Sequence, residues 1–283
     1  MKSIIFYTTV TLYSSFCFGQ TENITAAVTD STTPKSTFTL GTVYANNASY
    51  YGQKSEEKTP YAALAVTYRF KSGFYLSGLA YKLLKDKTSS VSASSLGAGV
   101  NFKLSPKLTA DLSYNHSFYP AYSPLLQAAN ADNASIAFTH GSWLNISVTG
   151  DYAFGKTNDG FVTAAISKSI NLFSISKKDI VTINPSADVA AGTQHFYQTY
   201  QKERKLRDSL LGIISGNPSQ GSSNTVSKTS FNILSYNFKL PLAYNRSHYV
   251  VEAAYQLSVL SSQAQSSAGK ANSFITVSFY YQF

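Results

Sequence analysis

Seven charged residues fall on the polar side of alternating segments. Arg69, Lys103, Asp111, Asp151, Asp188, Lys239 and Glu252 each occupy a polar position in a stretch where apolar and polar residues alternate. A strand with one wet and one greasy face sends every second side chain to the same side. If the greasy faces meet lipid, these seven line the enclosed space and bear on which ions or solutes cross it. Counted from the short connections, Arg69 and Lys103 lie near one end, Lys239 and Asp111 a little deeper, and Glu252, Asp151 and Asp188 towards the middle or far half. Two readings stay open: a polar pathway that is basic at one mouth and more acidic beyond, or ion pairs and hydrogen bonds that fill a narrow interior.

Other reactive combinations are weak. A hydrolase needs an activated serine beside a histidine. Of the four histidines, His116 and His140 fall on the apolar alternation, His195 opens a long loop and His248 follows a tight turn. His140, Ser142 and Asn145 are the residue types used by an outer-membrane phospholipase, but they sit in a turn, where Ser and Gly serve turn geometry. Gly97-Ala98-Gly99 is strand sequence with no phosphate-binding helix after it, and no spacing suits a metal. The reading is therefore of a protein that is not an enzyme, with no catalytic residue, cofactor or metal assigned.

The elements that position the charges follow from period two. Ile275, Val277, Phe279, Tyr281 and Phe283 share one face, with Thr276, Ser278, Tyr280 and Gln282 on the other. Leu234, Tyr236, Phe238 and Leu240 alternate with Ser235, Asn237 and Lys239, and Leu144 to Phe154 follows the same rule. The pattern predicts about twelve strands near 37–46, 60–70, 73–84, 94–104, 107–118, 133–140, 143–154, 160–172, 179–192, 229–242, 247–260 and 272–283. Most have the roughly 9 to 11 residues that a tilted strand needs to cross a bilayer. Lys168 breaks the pattern by pointing towards lipid, which calls for an interface position or a bulge.

The connections alternate in length. Short turns fall at 71–73, 105–107, 141–143, 174–178 and 245–247; longer polar loops fall near 47–58, 85–93, 119–132, 193–228 and 261–271, with a short one at 155–160. That alternation places both ends of the strand array on the side of the short turns. The loop 193–228 differs in chemistry. Phe196, Tyr200, Leu206, Leu210, Leu211, Ile213 and Ile214 recur at helical spacing around the cations Lys202, Arg204, Lys205 and Arg207, and Ser215 to Asn224 is rich in Ser, Gly and Asn. One short amphipathic helix is expected there. It could fold inward as a constriction, bind an anionic glycolipid or a partner, or cap the rim.

Composition agrees with a membrane strand protein. Only 13% of residues are charged and 14% are aromatic, with 21 Tyr and 18 Phe against one Trp. Charge at about half the usual level disfavours a cytosolic protein, and the surplus of aromatic side chains must face something other than water. A soluble β-sandwich would also alternate, but it would carry more charge on its strands and fewer aromatic residues near their ends. Past the first residues no apolar run approaches 18, so membrane helices are not expected.

The chain opens with Lys2, a short apolar run and Ser14-Ser15-Phe16-Cys17-Phe18-Gly19, which reads as a cleaved secretory signal over 1–19. A polar leader over 20–36 follows, and then the strand array over 37–283. Cys17 is the only cysteine, so the mature chain would have none, and its net charge would be 22 − 14 = +8, since Lys2 is the only charge removed. The signal, the alternating strands and the terminal Phe279-Tyr280-Tyr281-Gln282-Phe283 together resemble a bacterial outer-membrane β-barrel protein. The resemblance is to an architecture and covers about 37–283. It implies an all-β, closed antiparallel barrel in the outer membrane of a Gram-negative-type bacterium, with both termini periplasmic. It also implies that Phe279, Tyr281 and Phe283 belong to the signal read by the barrel-assembly machinery. Outer-membrane lipid, and an anionic glycolipid at the loops, are the expected partners, with no nucleic acid. The expected function is a conduit for small solutes or ions, and the competing one is a surface-binding, adhesion or scaffold barrel, including a secretion accessory, that acts through its loops.

Overall fold

The computed structural model describes residues 11–12, 24–25, 35–86, 89–214, 230–264 and 271–283. The signal cleavage site, most of the leader and the segment Ser215 to Asn224 lie outside the described residues. Fourteen hydrogen-bonded strands follow Lys35: β1 (Thr37–Ala45), β2 (Tyr61–Arg69), β3 (Phe74–Leu83), β4 (Ala93–Ser105), β5 (Leu108–Phe118), β6 (Asp132–His140), β7 (Asn145–Phe154), β8 (Asn158–Ser167), β9 (Ile170–Phe173), β10 (Asp179–Ile183), β11 (Ser186–Gly192), β12 (Asn232–Arg246), β13 (Tyr249–Leu260) and β14 (Ala271–Gln282).

They make twelve staves, because β8 continues into β9 and β10 into β11. Each stave pairs antiparallel with its neighbours, and β14 closes on β1 through Thr276↔Ala45 to Gln282↔Thr39. Closure satisfies the backbone groups that an open sheet would leave in lipid, and the even count brings both barrel ends to the short-turn side. We call that side the turn end and the other the loop end.

Two staves predicted as continuous are interrupted. The stave over 179–192 breaks at Asn184-Pro185, since Pro185 has no N–H to give the ladder. Its neighbour breaks at Lys168-Ser169, where the Lys168 N–H donates to the Pro185 carbonyl at 3.1 Å. Lys168 points outward and is exposed, with Nζ 5.0 Å from the Trp143 ring centroid in the β6–β7 turn. Past this break β9 pairs with β10 alone, so the β9–β10 hairpin stands clear of β7.

A further departure is Leu234. Alternation puts it on the lipid face with Tyr236, yet it is fully buried in an interior cluster. The register shift between Ala190 and Ala191 opposite β12 inserts one extra residue there, and the bulge turns Leu234 inward while Ile233 and Tyr236 remain outside.

Elsewhere the outward register is apolar, with Leu64, Leu76, Leu96, Leu112, Ile136, Val148, Phe238 and Val277 among its exposed side chains. Aromatic residues gather at its two ends. Tyr114, Phe118, Tyr152 and Phe154 lie at the loop end; Tyr68, Phe70, Phe74, Tyr249, Phe279, Tyr281 and Phe283 lie at the turn end. Rings with one polar tip suit the boundary between hydrocarbon and water. The first tight turn requires glycine: Gly73 has φ +90°, and a Cβ there would sit 2.2 Å from the Asn101 carbonyl oxygen.

The last residue helps to close the ring. The Phe283 N–H donates to the Phe38 carbonyl at 2.9 Å, and its ring lies 5.6 Å from Phe38 and 4.7 Å from Tyr281. Gln282 instead faces inward. Phe283→Asp should reduce assembled barrel several-fold, scored by heat-modifiable gel mobility of the membrane fraction, whereas Gln282→Asp should reduce it little. Equal losses would contradict a special role for the outward terminal ring.

Candidate functional site

The barrel encloses two unlike halves. At the turn end the inward register is polar. Tyr75 donates its hydroxyl to Asp111 at 2.9 Å, Asn101 donates to the other Asp111 oxygen at 3.4 Å, and the Arg69 guanidinium lies 4.8 Å over the Tyr75 ring. The structure thus gathers Arg69 and Asp111, two of the seven charges singled out in the sequence, around one tyrosine. Lys103 projects from the same face at the turn-end rim and is exposed, as is Asn171, inward on β9. Asp188 accepts a hydrogen bond from the Asn237 side chain, Lys239 lies two residues further along β12, and Glu252 is inward on β13. Asp151 accepts a hydrogen bond from the Asn133 side chain at 3.4 Å and lies against Tyr51.

The loop-end half is filled by three loops. The first, L1 (46–60), folds inward and makes a tight turn, with Tyr50 and Gln53 exchanging backbone hydrogen bonds at 2.8 and 3.0 Å. Its tip crosses the interior. Tyr51 reaches Asp151 on β7, while the Tyr51 carbonyl accepts from Ser235 on β12 at 2.9 Å and the Gly52 carbonyl accepts from Asn272 on β14 at 3.0 Å. Counted around the ring of twelve staves, β12 and β14 lie three and five staves from β7, so the tip bridges a wide arc of the interior. Gly52 has φ +77°, and a Cβ there would lie 2.5 Å from the Ser235 hydroxyl, so a larger residue strains the turn and seats only if the tip shifts slightly.

Aromatic packing completes the plug. Tyr51 stacks on Phe161 of β8 with centroids 3.8 Å apart, and Tyr50 meets Phe196 edge-on at 4.7 Å. Phe196 opens the helix α1 (His195–Ile214), and Leu126, from a single 3₁₀ turn at Leu126–Ala129, joins the same cluster. Leu125 beside it packs instead on Tyr61, Tyr81 and Leu83 of the facing wall.

One carboxylate holds the start of α1. Asp159 of β8, 1% exposed, accepts the backbone N–H groups of His195 and Phe196, each at 2.8 Å, the Thr193 hydroxyl at 2.7 Å and the Asn130 amide at 3.0 Å. The first N–H groups of a helix have no partner within it, and a negative charge there also meets the positive end of the helix dipole. Sequence reasoning missed Asp159 because Asp159-Gly160 reads as an ordinary turn; the nearest signal is Thr193, a capping type just before the helical run.

The cations of α1 do not reach the lumen acids. Arg204 pairs with Glu56 and Arg207 with Glu57, both on L1, and Lys156 pairs with Glu203 at 2.6 Å. Lys202 and Lys205 face solvent. The buried face of the helix runs through Phe196, Tyr197 and Tyr200 and then turns ionic at Glu203, Arg204 and Arg207, which leaves Leu206 48% exposed, against its expected place in the apolar stripe. The side chains of Leu210, Leu211, Ile213 and Ile214 lie outside the described residues. α1 packs over L1 through Phe196, Tyr197 and Tyr200. In the β6–β7 turn the Ser142 hydroxyl donates to the Leu144 carbonyl at 3.0 Å, while His140 is exposed on the outer face. His116 is also outward, with Nδ1 2.7 Å from Asp132.

Closed, antiparallel, even in staves, apolar outside and polar within, the chain has the architecture of outer-membrane β-barrel proteins. No protein-family model and no curated protein matches it. Solved structures similar to it include a KdgM porin (TM-score 0.49, 10% identity, covering 87% of this chain and 99% of that one) and a NanC porin (0.45, 8%, 86% and 98%). LpxR from Salmonella typhimurium is also similar (0.46, 10%, 86% and 99%).

Asp159→Ala should loosen α1 by on the order of 3 kcal/mol while leaving the staves intact, read as faster amide exchange across 195–208. The Glu56 carboxyl is held below its ordinary value, first by the Gln201 hydrogen bond and then by Arg204, against the opposing effect of its partial burial. A lowered carboxylate stabilises the fold above its ordinary titration range and loses that contribution as pH falls through the lowered value. The protection factors over α1, taken relative to unstructured exchange at each pH, should therefore fall on acidification through that range in the wild type, and less so in Glu56→Gln.

Proposed function

We propose that this chain is an outer-membrane conduit for small solutes or ions, with its turn end in the periplasm, its loop end at the cell surface, and the L1 tip as its constriction. The observation that supports this reading is the polar inward register at the turn end, with Lys103 exposed at the rim. Above it Arg69, Asn101, Asp111, Asp188 and Asn237 continue a polar wall to the underside of L1. A lumen meant only to be filled would be served by apolar packing of the kind found at the loop end, at lower desolvation cost. No catalytic role is proposed.

A second reading has its own support. L1, the 3₁₀ turn and α1 form one packed body over the mouth, tied by the Arg204–Glu56 and Arg207–Glu57 pairs, and that body presents Lys202, Lys205 and Leu206 outward. A rigid basic and apolar platform suits a surface ligand such as an anionic glycolipid.

Planar-bilayer recordings separate the two. Replacing 49–55 by a short Gly-Ser link should raise single-channel conductance several-fold over the full chain. Deleting 196–214 should raise it less, because L1 still crosses the interior. Absence of channel activity in all three proteins, with assembly verified by heat-modifiable mobility, would remove the conduit reading and leave the platform.

A further inference from the structure

Among the described residues the excess of positive charge is gathered at one rim. Every connection at the turn end carries or adjoins an exposed cation: Lys71 after β2, Lys107 after β4, Lys168 beside the β6–β7 turn, Lys177 and Lys178 after β9, and Arg246 at the end of β12. Among the described residues the one acid on that rim is Asp179, and its carboxylate is taken up by the Ile175 and Ser176 N–H groups and the Ser176 and Tyr244 hydroxyls. The loop end differs, since its cations are interspersed with Glu56, Glu57, Asp86, Glu203 and Asp208, several of them paired.

The cations are interleaved with rings. The ammonium of Lys168 lies over Trp143, which is 77% exposed, and Phe173 and Ile175, 59% and 72% exposed, flank Lys177 and Lys178. On the opposite arc Phe70 accompanies Lys71, while Tyr244 and Tyr249 stand beside Arg246, which pairs in register with Asp179 next to Lys178. Apolar rings with cations just beyond them match the layer where acyl chains give way to headgroups.

We propose that the turn-end rim is a docking ring for anionic phospholipid headgroups in the leaflet it touches. The distribution favours lipid over an acidic protein, because a protein would engage one sector, whereas the cations recur at turn after turn around the circumference. The proposal rests on the reading that the barrel resides in a bilayer, but not on its being a conduit.

The test uses the full chain reconstituted in phosphatidylcholine bilayers containing spin-labelled phosphatidylglycerol or spin-labelled phosphatidylcholine as probe. Electron spin resonance reads the share of each probe immobilised at the protein surface. Phosphatidylglycerol should be enriched several-fold over phosphatidylcholine, and the preference should fall towards unity at high salt. It should also fall towards unity in a variant carrying K71Q, K107Q, K168Q, K177Q and K178Q, but persist in K202Q/K205Q. Equal immobilisation of the two probes by the wild type overturns the proposal. So does a preference that survives the rim variant or disappears with K202Q/K205Q. Absence of any immobilised component would instead contradict bilayer residence itself.

Discussion

A barrel in lipid exists only if its first and last staves find each other, and here that meeting is the β1–β14 ladder, finished by Phe283 against Phe38. Once that ring is shut, the alternation of side chains has a fixed meaning: one register belongs to lipid and the other to an enclosed space of set width. Every later feature uses that fixed interior. L1 can rest on Asp151 and on Ser235 and Asn272 at once because the staves bearing them are held a wide arc apart. The β9–β10 hairpin escapes the rule, since β9 has one paired edge, and it does so past the β6–β7 turn, beside Trp143 and Lys168.

The interior divides by chemistry as well as by position. Towards the loops, Phe161, Phe196, Leu126 and the Tyr50-Tyr51 pair exclude water, and the one charge among them, Asp159, is satisfied by helix N–H groups, a hydroxyl and an amide. Towards the turns, Asp111 is also buried, at 3% exposed, and is held by the Tyr75 hydroxyl and the Asn101 amide with the Arg69 guanidinium over the Tyr75 ring. A buried carboxylate with several donors is a rigid anchor. Asp159 and Asp111 are the same residue type in the same inward register; one holds the start of a helix and the other a polar cluster on the wall. The outer surface shows a comparable split, with mixed charge over the loops and nearly uniform positive charge at the turns.

Most of the fold was legible because its signal repeats. A two-residue period carried over twelve staves leaves little freedom, and the alternation of short and long connections reports independently on which end is which. The exceptions arise where one residue outweighs the pattern. Pro185 breaks a stave because it lacks a donor, and an extra residue opposite Ala190 and Ala191 turns Leu234 inward. The site was less legible, because its parts are distant in the chain. Nothing near Tyr51 in sequence points to Asp151 or Asn272, and nothing near Asp159 points to the amide groups of His195 and Phe196. Nothing in the sequence points to the acids that the cations of α1 meet. Glu56 and Glu57 lie some 150 positions away, yet the plug brings them closer than any lumen acid.

The central claim is that the L1 tip crosses the lumen and seats on β12. The mature chain expected after signal removal has no cysteine, so an engineered pair would report on that contact alone. A Cβ built on Gly52 lies 2.7 Å from the Ser235 Cβ, close enough for a disulfide after a small shift of the tip. Gly52→Cys with Ser235→Cys, assembled in membranes and mildly oxidised, should form an intrachain crosslink that changes mobility on a non-reducing gel. Failure to crosslink, with both thiols instead modified by a membrane-impermeant maleimide in the assembled barrel, would contradict the account.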